Sequence, residues 1–437
     1  MIRKIFRNNH DAWVATNLTT RVATRLITMG LIVRYLTVPE VATWYIFAAL
    51  FGLVSLAEAG LGRVVTRQVS ERFKANINSK YKHSDLRFLS IILKSYSILV
   101  FALCLIAFIF GVWWFESSNV PWLNTAWMFF VIANGISLYA ALNTAMLQGL
   151  GEVGLSQKNE TISSLINVVV FICFILAHIS LLVPTIALVA STTVSGYLNH
   201  KSLRRVVSGL SCFKLDFNSR YIRAVLARIG PELGKYFLML FAFHLLTSVF
   251  ILMLDYYQSP NVVAAYGITM QMITLILTFS NIWLTSSFPA MAAQKRNNNK
   301  TILKSLFYSV IYRSMSVLIL GMVIVLTIGN PILSLIGSQV LLLPIEILQI
   351  VIVVIAVEYF IFTLIGQLLV SQSRMKFTYY SAIGALFISL SALFLLEFGY
   401  GITEMFQARI VIFLVIIAVP IVIDVKNIFN IKKISPL

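Results

Sequence analysis

The sequence predicts an all-α integral membrane protein with about 12 transmembrane helices in two six-helix bundles. Of its 437 residues, 59% are hydrophobic and 11% are charged, and the mean hydropathy is +0.89. One soluble core could not enclose that much apolar surface. The apolar runs are long enough to cross about 30 Å of hydrocarbon as helices of about 20 residues, whereas a membrane β-barrel would show short alternating segments. Basic residues are also concentrated in alternate connections, as expected of a chain that crosses a membrane repeatedly.

Each predicted span is an apolar run bounded by polar or charged residues. The spans cover residues 12–34, 41–62, 89–114, 122–148, 158–178, 181–200, 232–255, 262–288, 305–328, 342–370, 376–397 and 402–424. The segment 342–370 is long enough to tilt or bend, with a break expected near Pro344. The predicted organisation is an N-terminal half (1–200), a basic cytoplasmic linker (201–231) and a C-terminal half (232–437). Both halves begin on the same side, so any repeat would be parallel.

The net charge of +18 is distributed in a way that predicts membrane topology rather than nucleic-acid binding. Lys and Arg cluster before span 1, between spans 2 and 3, between spans 6 and 7, after spans 8 and 10, and near residue 437. The alternate connections instead carry acidic residues, namely Glu40, Glu116, Asp255, Glu397 and Glu404. This positive-inside pattern predicts that both termini are cytoplasmic. The basic loops are expected to lie near anionic lipid headgroups.

The sequence lacks the features of several kinds of protein and site. The first apolar stretch is interrupted by arginines and no cleavage site follows it, so we expect span 1 to remain in the mature protein. The three cysteines (Cys104, Cys173 and Cys212) are scattered and suggest neither disulfides nor a zinc site. There is no Walker A or His-Glu-x-x-His motif, so we expect neither ATP hydrolysis nor a metal or cofactor site. The short external connections leave no room for a catalytic loop or domain, so we predict that the protein is not an enzyme. Gly149, Gly151 and Gly154 match G-x-G-x-x-G but end a membrane span, which favours a tight cytoplasmic turn over nucleotide binding.

Span 1 carries the most informative polar side chains. Arg21 and Arg25 lie one helical turn apart, in line with Asn17, and Thr20, Thr24 and Thr28 form the adjoining row. A charge near the bilayer centre costs about 3 kcal/mol or more, so such residues usually face a cavity or a partner. Guanidinium groups bind phosphate or carboxylate oxygens through a planar fork. The functional hypothesis is therefore an anion-binding cavity, and the alternative is a buried salt bridge to Glu58.

Further polar residues are predicted within the other spans. Those expected to line a cavity, together with Asn17, Thr24, Thr28 and Glu58, are Asn134, Gln148, Gln271, Arg313 and Arg409. Arg409 is expected to face the outer half of the cavity or to pair with Glu397 or Glu404. His244 and Glu358 lie near mid-span, where protonation could couple to transport, although either could be a satisfied packing residue. For any single uncharged residue the alternative is interhelical hydrogen bonding.

Two segments carry a family resemblance. Residues 45–67, YIFAALFGLVSLAEAGLGRVVTR, and residues 147–151, LQGLG, resemble the second span and the end of the fourth span of bacterial polysaccharide flippases. These proteins belong to the multidrug/oligosaccharidyl-lipid/polysaccharide exporter superfamily. The resemblance extends over nearly the whole chain through its length, its spans, its paired halves and its basic loops.

The resemblance implies an inverted-V transporter that moves undecaprenyl-diphosphate-linked oligosaccharide repeat units, most often those of O antigen, across the bacterial inner membrane by alternating access. It implies that Arg21 and Arg25 bind the diphosphate. It further implies a polysaccharide polymerase and a chain-length regulator as partners. Two transport alternatives are a cation-coupled multidrug antiporter, which should carry acidic residues in its cation-binding lobe, and a lipid II flippase, which usually has additional spans. A membrane-embedded glycosyltransferase or ligase would need a catalytic loop that the sequence does not show.

Overall fold

A computed structural model describes the backbone of residues 2–56, 60–74, 83–116, 120–175, 181–207, 219–297, 300–371 and 376–430. Throughout these residues the chain is built from helices and short connections. The chain divides into two compact units, Met1–Phe237 and Leu238–Leu437.

The first unit is a bundle of helices, several of which pack against helices that are distant in the sequence. They are α1 (Ile2–Tyr35), α2 (Val38–Ser55), α3 (Leu61–Lys74), α4 (His83–Trp114), α5 (Leu123–Gly149), α6 (Val153–Ile175) and α7 (Leu182–Val206), followed by α8 (Ser219–Leu246), which continues into the second unit. Helix α5 packs against α3, α4 and α7, and α1 packs against α6.

The second unit contains two long helices that change to π geometry part of the way along. Its helices are α9 (Ser248–Tyr257), α10 (Pro260–Asn297), α11 (Lys300–Ile336), α12 (Ile345–Glu358), α13 (Gly366–Ser371), α14 (Phe377–Glu397), α15 (Ile402–Ile412) and α16 (Val419–Asn430). The π segments are Tyr359–Ile365, between α12 and α13, and Phe413–Ala418, between α15 and α16. In the predicted segment 342–370 the helix begins at Ile345, directly after Pro344, and its geometry changes at Tyr359 rather than at the proline.

The structure confirms a multi-pass membrane protein. Within the described residues, ten helical segments are long and apolar enough to cross a membrane. Large apolar side chains such as Phe101, Leu105 and Ile106 on α4 are exposed, which suits contact with lipid rather than water. Helix α2 is a shorter apolar helix, and α1 is long enough to span but is interrupted by polar side chains. The prediction of about 12 spans therefore depends on α1 and α2.

The predicted second span (41–62) is wrong at its C-terminal end. Helix α2 ends at Ser55, and a separate amphipathic helix, α3, begins at Leu61. Gly60 adopts a left-handed backbone conformation (φ +69°), and a Cβ there would lie 2.8 Å from Cβ of Tyr236. Ser55 and Glu58 are the polar residues in an otherwise apolar or glycine stretch over 46–62, and hydropathy averaged over that stretch does not reveal this turn.

Helix α3 packs closely on the end of α5. Val64, Val65 and Val69 are buried, and the Thr66 hydroxyl donates a 3.0 Å hydrogen bond to the Ala145 carbonyl oxygen. At Gly149 a Cβ would lie 2.7 Å from the Thr66 carbonyl oxygen, so the helices meet where only glycine fits.

The glycine pattern after α5 forms the predicted turn. Gly151 has φ +91°, its amide donates to the Gln148 carbonyl oxygen at 3.0 Å, and the Glu152 amide donates to the Leu147 carbonyl oxygen at 2.9 Å. These bonds satisfy the last carbonyl groups of α5, as in a glycine-terminated helix. Helix α6 follows at once, so the pattern has no strand–turn–helix context for a dinucleotide.

Parts of the predicted linker and of predicted span 7 differ from expectation. Helix α7 continues to Val206 and α8 begins at Ser219, so both ends of the 201–231 segment are helical. Span 7 (232–255) is interrupted at Thr247, where α8 ends and α9 begins.

Candidate functional site

A polar seam joins α1 to α6 inside the first unit. We define the α1–α6 polar seam as Asn17, Arg21 and Thr24 on α1 with Gln157, Glu160 and Ser164 on α6. The Asn17 amide nitrogen donates to the Gln157 side-chain oxygen and, at 3.1 Å, to Oε2 of Glu160. The Thr24 hydroxyl donates to the Ser164 carbonyl oxygen at 3.4 Å. Residues at i, i+4 and i+7 of α1 thus meet residues spaced by three and four on α6, as two packed helices require.

Arg21 is paired loosely at this seam. Its Nη1 lies 3.6 Å from Oε2 of Glu160, and its side chain is 51% exposed, compared with 23% for Glu160. That distance is an ion pair rather than a short hydrogen bond. Asn17 is only 2% exposed, and its Oδ1 has no hydrogen-bond partner within the described part of the chain. The seam therefore places one accessible guanidinium beside a mostly enclosed carboxylate and amide.

Arg25 lies one turn further along α1, also exposed. Within the described residues, no carboxylate lies within 4 Å of its guanidinium. Glu58, the partner expected under the salt-bridge alternative, lies outside the described residues. Thr28 does not join the seam through its hydroxyl, which donates back to the Thr24 carbonyl oxygen at 2.8 Å. Helix α1 thus presents two exposed arginines, and only Arg21 has a described carboxylate partner.

Other polar residues of the first unit bond to neighbouring helices. Asn159 donates to Oδ1 of Asn199 at 2.9 Å and to the Ser202 hydroxyl at 3.1 Å, and Asn199 donates to the Thr144 hydroxyl at 3.0 Å. Because α5, α6 and α7 each contribute to this network, interhelical hydrogen bonding explains these residues. Asn167 on α6 behaves similarly, donating to the Ser191 hydroxyl of α7 at 3.2 Å.

The two predicted cavity residues on α5 occupy different positions. Asn134 is half-buried and donates to the Phe130 carbonyl oxygen of its own helix at 2.8 Å. Gln148 is half-buried at the C-terminal end of α5, next to the turn at Gly151.

In the second unit, Arg409 and Glu358 form an enclosed ion pair. Arg409 Nε and Nη2 donate to Oε1 and Oε2 of Glu358, each at 2.6 Å, and Nη1 donates to the Leu246 carbonyl oxygen at 2.7 Å. The guanidinium carbon lies 4.9 and 5.2 Å from the ring centroids of Phe250 and Phe406, two rings that also contact each other. The side chains are 1% and 11% exposed, respectively.

This geometry corrects the expected environment of Arg409. Its partner is Glu358, not Glu397 or Glu404, because α12 packs against α15. Glu404 instead accepts a hydrogen bond from the Gly401 amide at the start of α15, and Glu397 accepts one from the Tyr257 hydroxyl at 2.5 Å. A side chain that is 1% exposed does not face an open cavity. Arg409 also satisfies the carbonyl group at the end of α8, where the helix is broken within a membrane span.

The remaining predicted residues of the second unit lie on separate helices. His244 is half-buried near the end of α8, with Nδ1 3.1 Å from the Ser248 hydroxyl. Gln271 is half-buried on α10, and Arg313 is exposed on α11. Glu358 is held by Arg409, so its carboxylate is already neutralised by a resident cation. In the described parts of the chain, no group of three or more His, Cys, Asp or Glu residues could hold a metal ion.

The contacts reveal roles that the sequence interpretation did not assign. Glu160 lies within predicted span 5 (158–178), but its proximity to Arg21 depends on α1 packing against α6. Gln157 shares this role through Asn17. The feature of the sequence that could have indicated these roles is the three-residue spacing of Gln157 and Glu160, which places both on one face of α6.

Comparison with solved structures identifies the fold. An inward-facing multidrug resistance MATE family transporter of the MOP superfamily aligns with 97% of this chain and 99% of its own, with a TM-score of 0.69 and 15% identity. The outward-facing conformation of a MATE transporter of that superfamily covers 98% and 97%, with a TM-score of 0.65 and 15% identity. Lipid II flippase MurJ, in an inward closed conformation, covers 96% and 89%, with a TM-score of 0.64 and 14% identity. No protein-family model matches the sequence, and comparison with curated proteins finds no match.

The chain therefore has the fold of MOP-type transporters and flippases, over nearly its whole length. The similar structures are transporters and a flippase rather than enzymes. At these identities the likeness establishes the fold, while the substrate depends on the side chains of the site.

Proposed function

We propose that this protein is a flippase for polyprenyl-diphosphate-linked oligosaccharide, with undecaprenyl-diphosphate-linked repeat units of O antigen or a related polysaccharide as its substrate. It would move the sugar and diphosphate headgroup across the bacterial inner membrane by alternating access while the lipid tail stays in the bilayer. This assignment keeps both termini cytoplasmic and implies a polysaccharide polymerase and a chain-length regulator as downstream partners.

The observation that carries the proposal is the pair of exposed arginines on α1. Arg21 and Arg25 lie one helical turn apart, and Glu160 is the described carboxylate that lies within ion-pair distance of either. Two guanidinium forks at this spacing suit the two phosphate groups of a diphosphate, with bidentate hydrogen bonds to each. The fold supports the same class of activity, because a lipid II flippase is among the similar structures.

The second candidate is a cation-coupled multidrug antiporter, favoured by the overall similarity to MATE transporters. Its substrate and coupling cation would both be repelled by two adjacent guanidinium groups. The charge on α1 therefore favours an anionic substrate. A lipid II flippase shares that preference, so the sugar carried by the diphosphate is what distinguishes it from the proposal.

Reconstitution in vesicles tests the proposal. A lipid-linked oligosaccharide with a fluorescent sugar would be incorporated on both leaflets, and a membrane-impermeant quencher would report exchange between them. We expect the wild-type protein to make nearly the whole pool accessible, and Arg25→Ala to abolish exchange while inserting normally. Arg25→Lys should keep part of the activity, because the charge remains but the planar fork is lost.

A matched control lies on the same helix. Arg34 is exposed near the end of α1, with its guanidinium 5.3 Å from the Tyr35 ring centroid. Arg34→Ala removes the same charge from α1 outside the seam and should leave exchange nearly unchanged. Full activity of a well-inserted Arg25→Ala protein would contradict the diphosphate site.

A further inference from the structure

Two ion pairs of this chain, Arg409–Glu358 and Arg21–Glu160, differ in kind, and the difference points to a role for Glu160. Arg409 and Glu358 are joined by two 2.6 Å bonds and are almost fully enclosed. Arg21 and Glu160 are 3.6 Å apart, and the arginine side chain is half-exposed. An enclosed bidentate pair is fixed, whereas a long pair with an accessible guanidinium can exchange its partner.

Glu160 is held in place independently of Arg21. Its Oε2 accepts a 3.1 Å hydrogen bond from Asn17, which is 2% exposed, and Asn17 also donates to Gln157. These contacts keep the carboxylate at the seam whether or not the arginine stays beside it. Arg21, by contrast, has a long flexible side chain, and Glu160 is its described ion-pair partner.

We propose that Glu160 is a resident competitor for the anionic ligand of Arg21. Without ligand, the carboxylate holds the guanidinium against α6. A diphosphate displaces it, because a phosphate group offers charge-assisted bidentate bonds that the 3.6 Å pair lacks. Glu160 is thus a positioning residue that lowers the affinity of the site, so that the headgroup can also be released. This inference rests on the proposed function, since it assigns a regulator to the same site.

Binding of inorganic pyrophosphate to the purified full-length protein, measured by calorimetry, tests the role. Glu160→Gln keeps the side-chain shape and an acceptor for Asn17 but removes the competing charge. We expect it to bind pyrophosphate about fivefold more tightly than the wild type, the size of a partly exposed ion pair. A short-chain polyprenyl diphosphate should show the same factor, because the diphosphate is the shared group. Adding Arg21→Ala to Glu160→Gln should remove the gain.

The control has the same change in net charge. Glu397 is an exposed carboxylate whose described partner is the Tyr257 hydroxyl, and Glu397→Gln should leave the affinity unchanged. Glu160→Asp, one methylene shorter, keeps the charge and provides a second variant, with an expected affinity between those of wild type and Glu160→Gln.

The outcomes separate this inference from the proposed function. If Arg21→Ala weakens pyrophosphate binding but Glu160→Gln and Glu160→Asp bind as the wild type does, the competitor role is overturned and the diphosphate site stands. If Arg21→Ala and Arg25→Ala both bind pyrophosphate like the wild type, the diphosphate site is overturned and the competitor role falls with it.

Discussion

The enclosed Arg409–Glu358 pair gives the sharpest prediction about stability. Arg409→Met replaces the guanidinium with an apolar side chain of similar length. It leaves the Glu358 carboxylate without the two 2.6 Å bonds that neutralise it and the Leu246 carbonyl oxygen without its 2.7 Å donor. Glu358 is 11% exposed, so water cannot fully replace the lost partner.

Breaking a buried ion pair by removing one partner costs about 3–5 kcal/mol, because the remaining charge stays desolvated. We therefore expect Arg409→Met to lower the free energy of unfolding by about that amount. Replacing both partners with apolar groups removes the stranded charge, so Glu358→Leu combined with Arg409→Met should be more stable than Arg409→Met alone. The gain will be partial, because the Leu246 carbonyl group still lacks a donor.

The assay is equilibrium unfolding of the purified protein in detergent micelles, for wild type, both single variants and the double variant. Arg313 is exposed on α11, and Arg313→Met is the matched control, with an expected change within about 0.5 kcal/mol. If Arg409→Met unfolds like Arg313→Met, the pair contributes little and the reasoning is refuted. A double variant less stable than both singles would refute the stranded-charge argument specifically.

Two packing predictions follow from close approaches in the first unit. Gly111→Ala would place a Cβ 2.0 Å from Nε1 of Trp127, a fully buried ring, so we expect a loss of about 3 kcal/mol in the same unfolding assay. At Gly234 an added Cβ would meet no described atom within 4 Å apart from its chain neighbours and the backbone of its own helix, so Gly234→Ala should be neutral or slightly stabilising. Equal behaviour of the two variants would contradict this account. Thr66→Val removes the 3.0 Å hydrogen bond from α3 to the Ala145 carbonyl oxygen and should lower the free energy of unfolding by about 1 kcal/mol. An unchanged unfolding curve would show that this bond does not hold α3 on α5.

The sequence predicted the helices that stand alone as apolar runs between charged or turn-forming residues. The predicted span 376–397 corresponds to Phe377–Glu397, and 122–148 corresponds to Leu123–Gly149. In these cases local hydropathy decides where the helix begins and ends. Between α2 and α3 it does not, because a single charged residue, Glu58, hardly lowers the hydropathy of residues 46–62, while α2 ends at Ser55 and Gly60 adopts a left-handed conformation.

The pairing of side chains was less predictable, because it depends on which helices pack together. Arg409 was expected to face the outer half of the cavity or to meet acidic residues close in sequence, but its partner, Glu358, is 51 positions away on α12. Asn17 and Glu160 are 143 positions apart, and their contact follows from α1 lying beside α6. A helical spacing places residues on one face of a helix, but it does not say which helix that face will meet.

The most direct test of the central claim is the sidedness of lipid-linked oligosaccharide in cells with and without this protein. The account predicts that the units accumulate facing the cytoplasm when the protein is removed, and that wild type, but not Arg25→Ala, returns them to the outer face. An unchanged distribution, together with efflux of cationic dyes that depends on the protein, would contradict the flippase assignment and favour the antiporter.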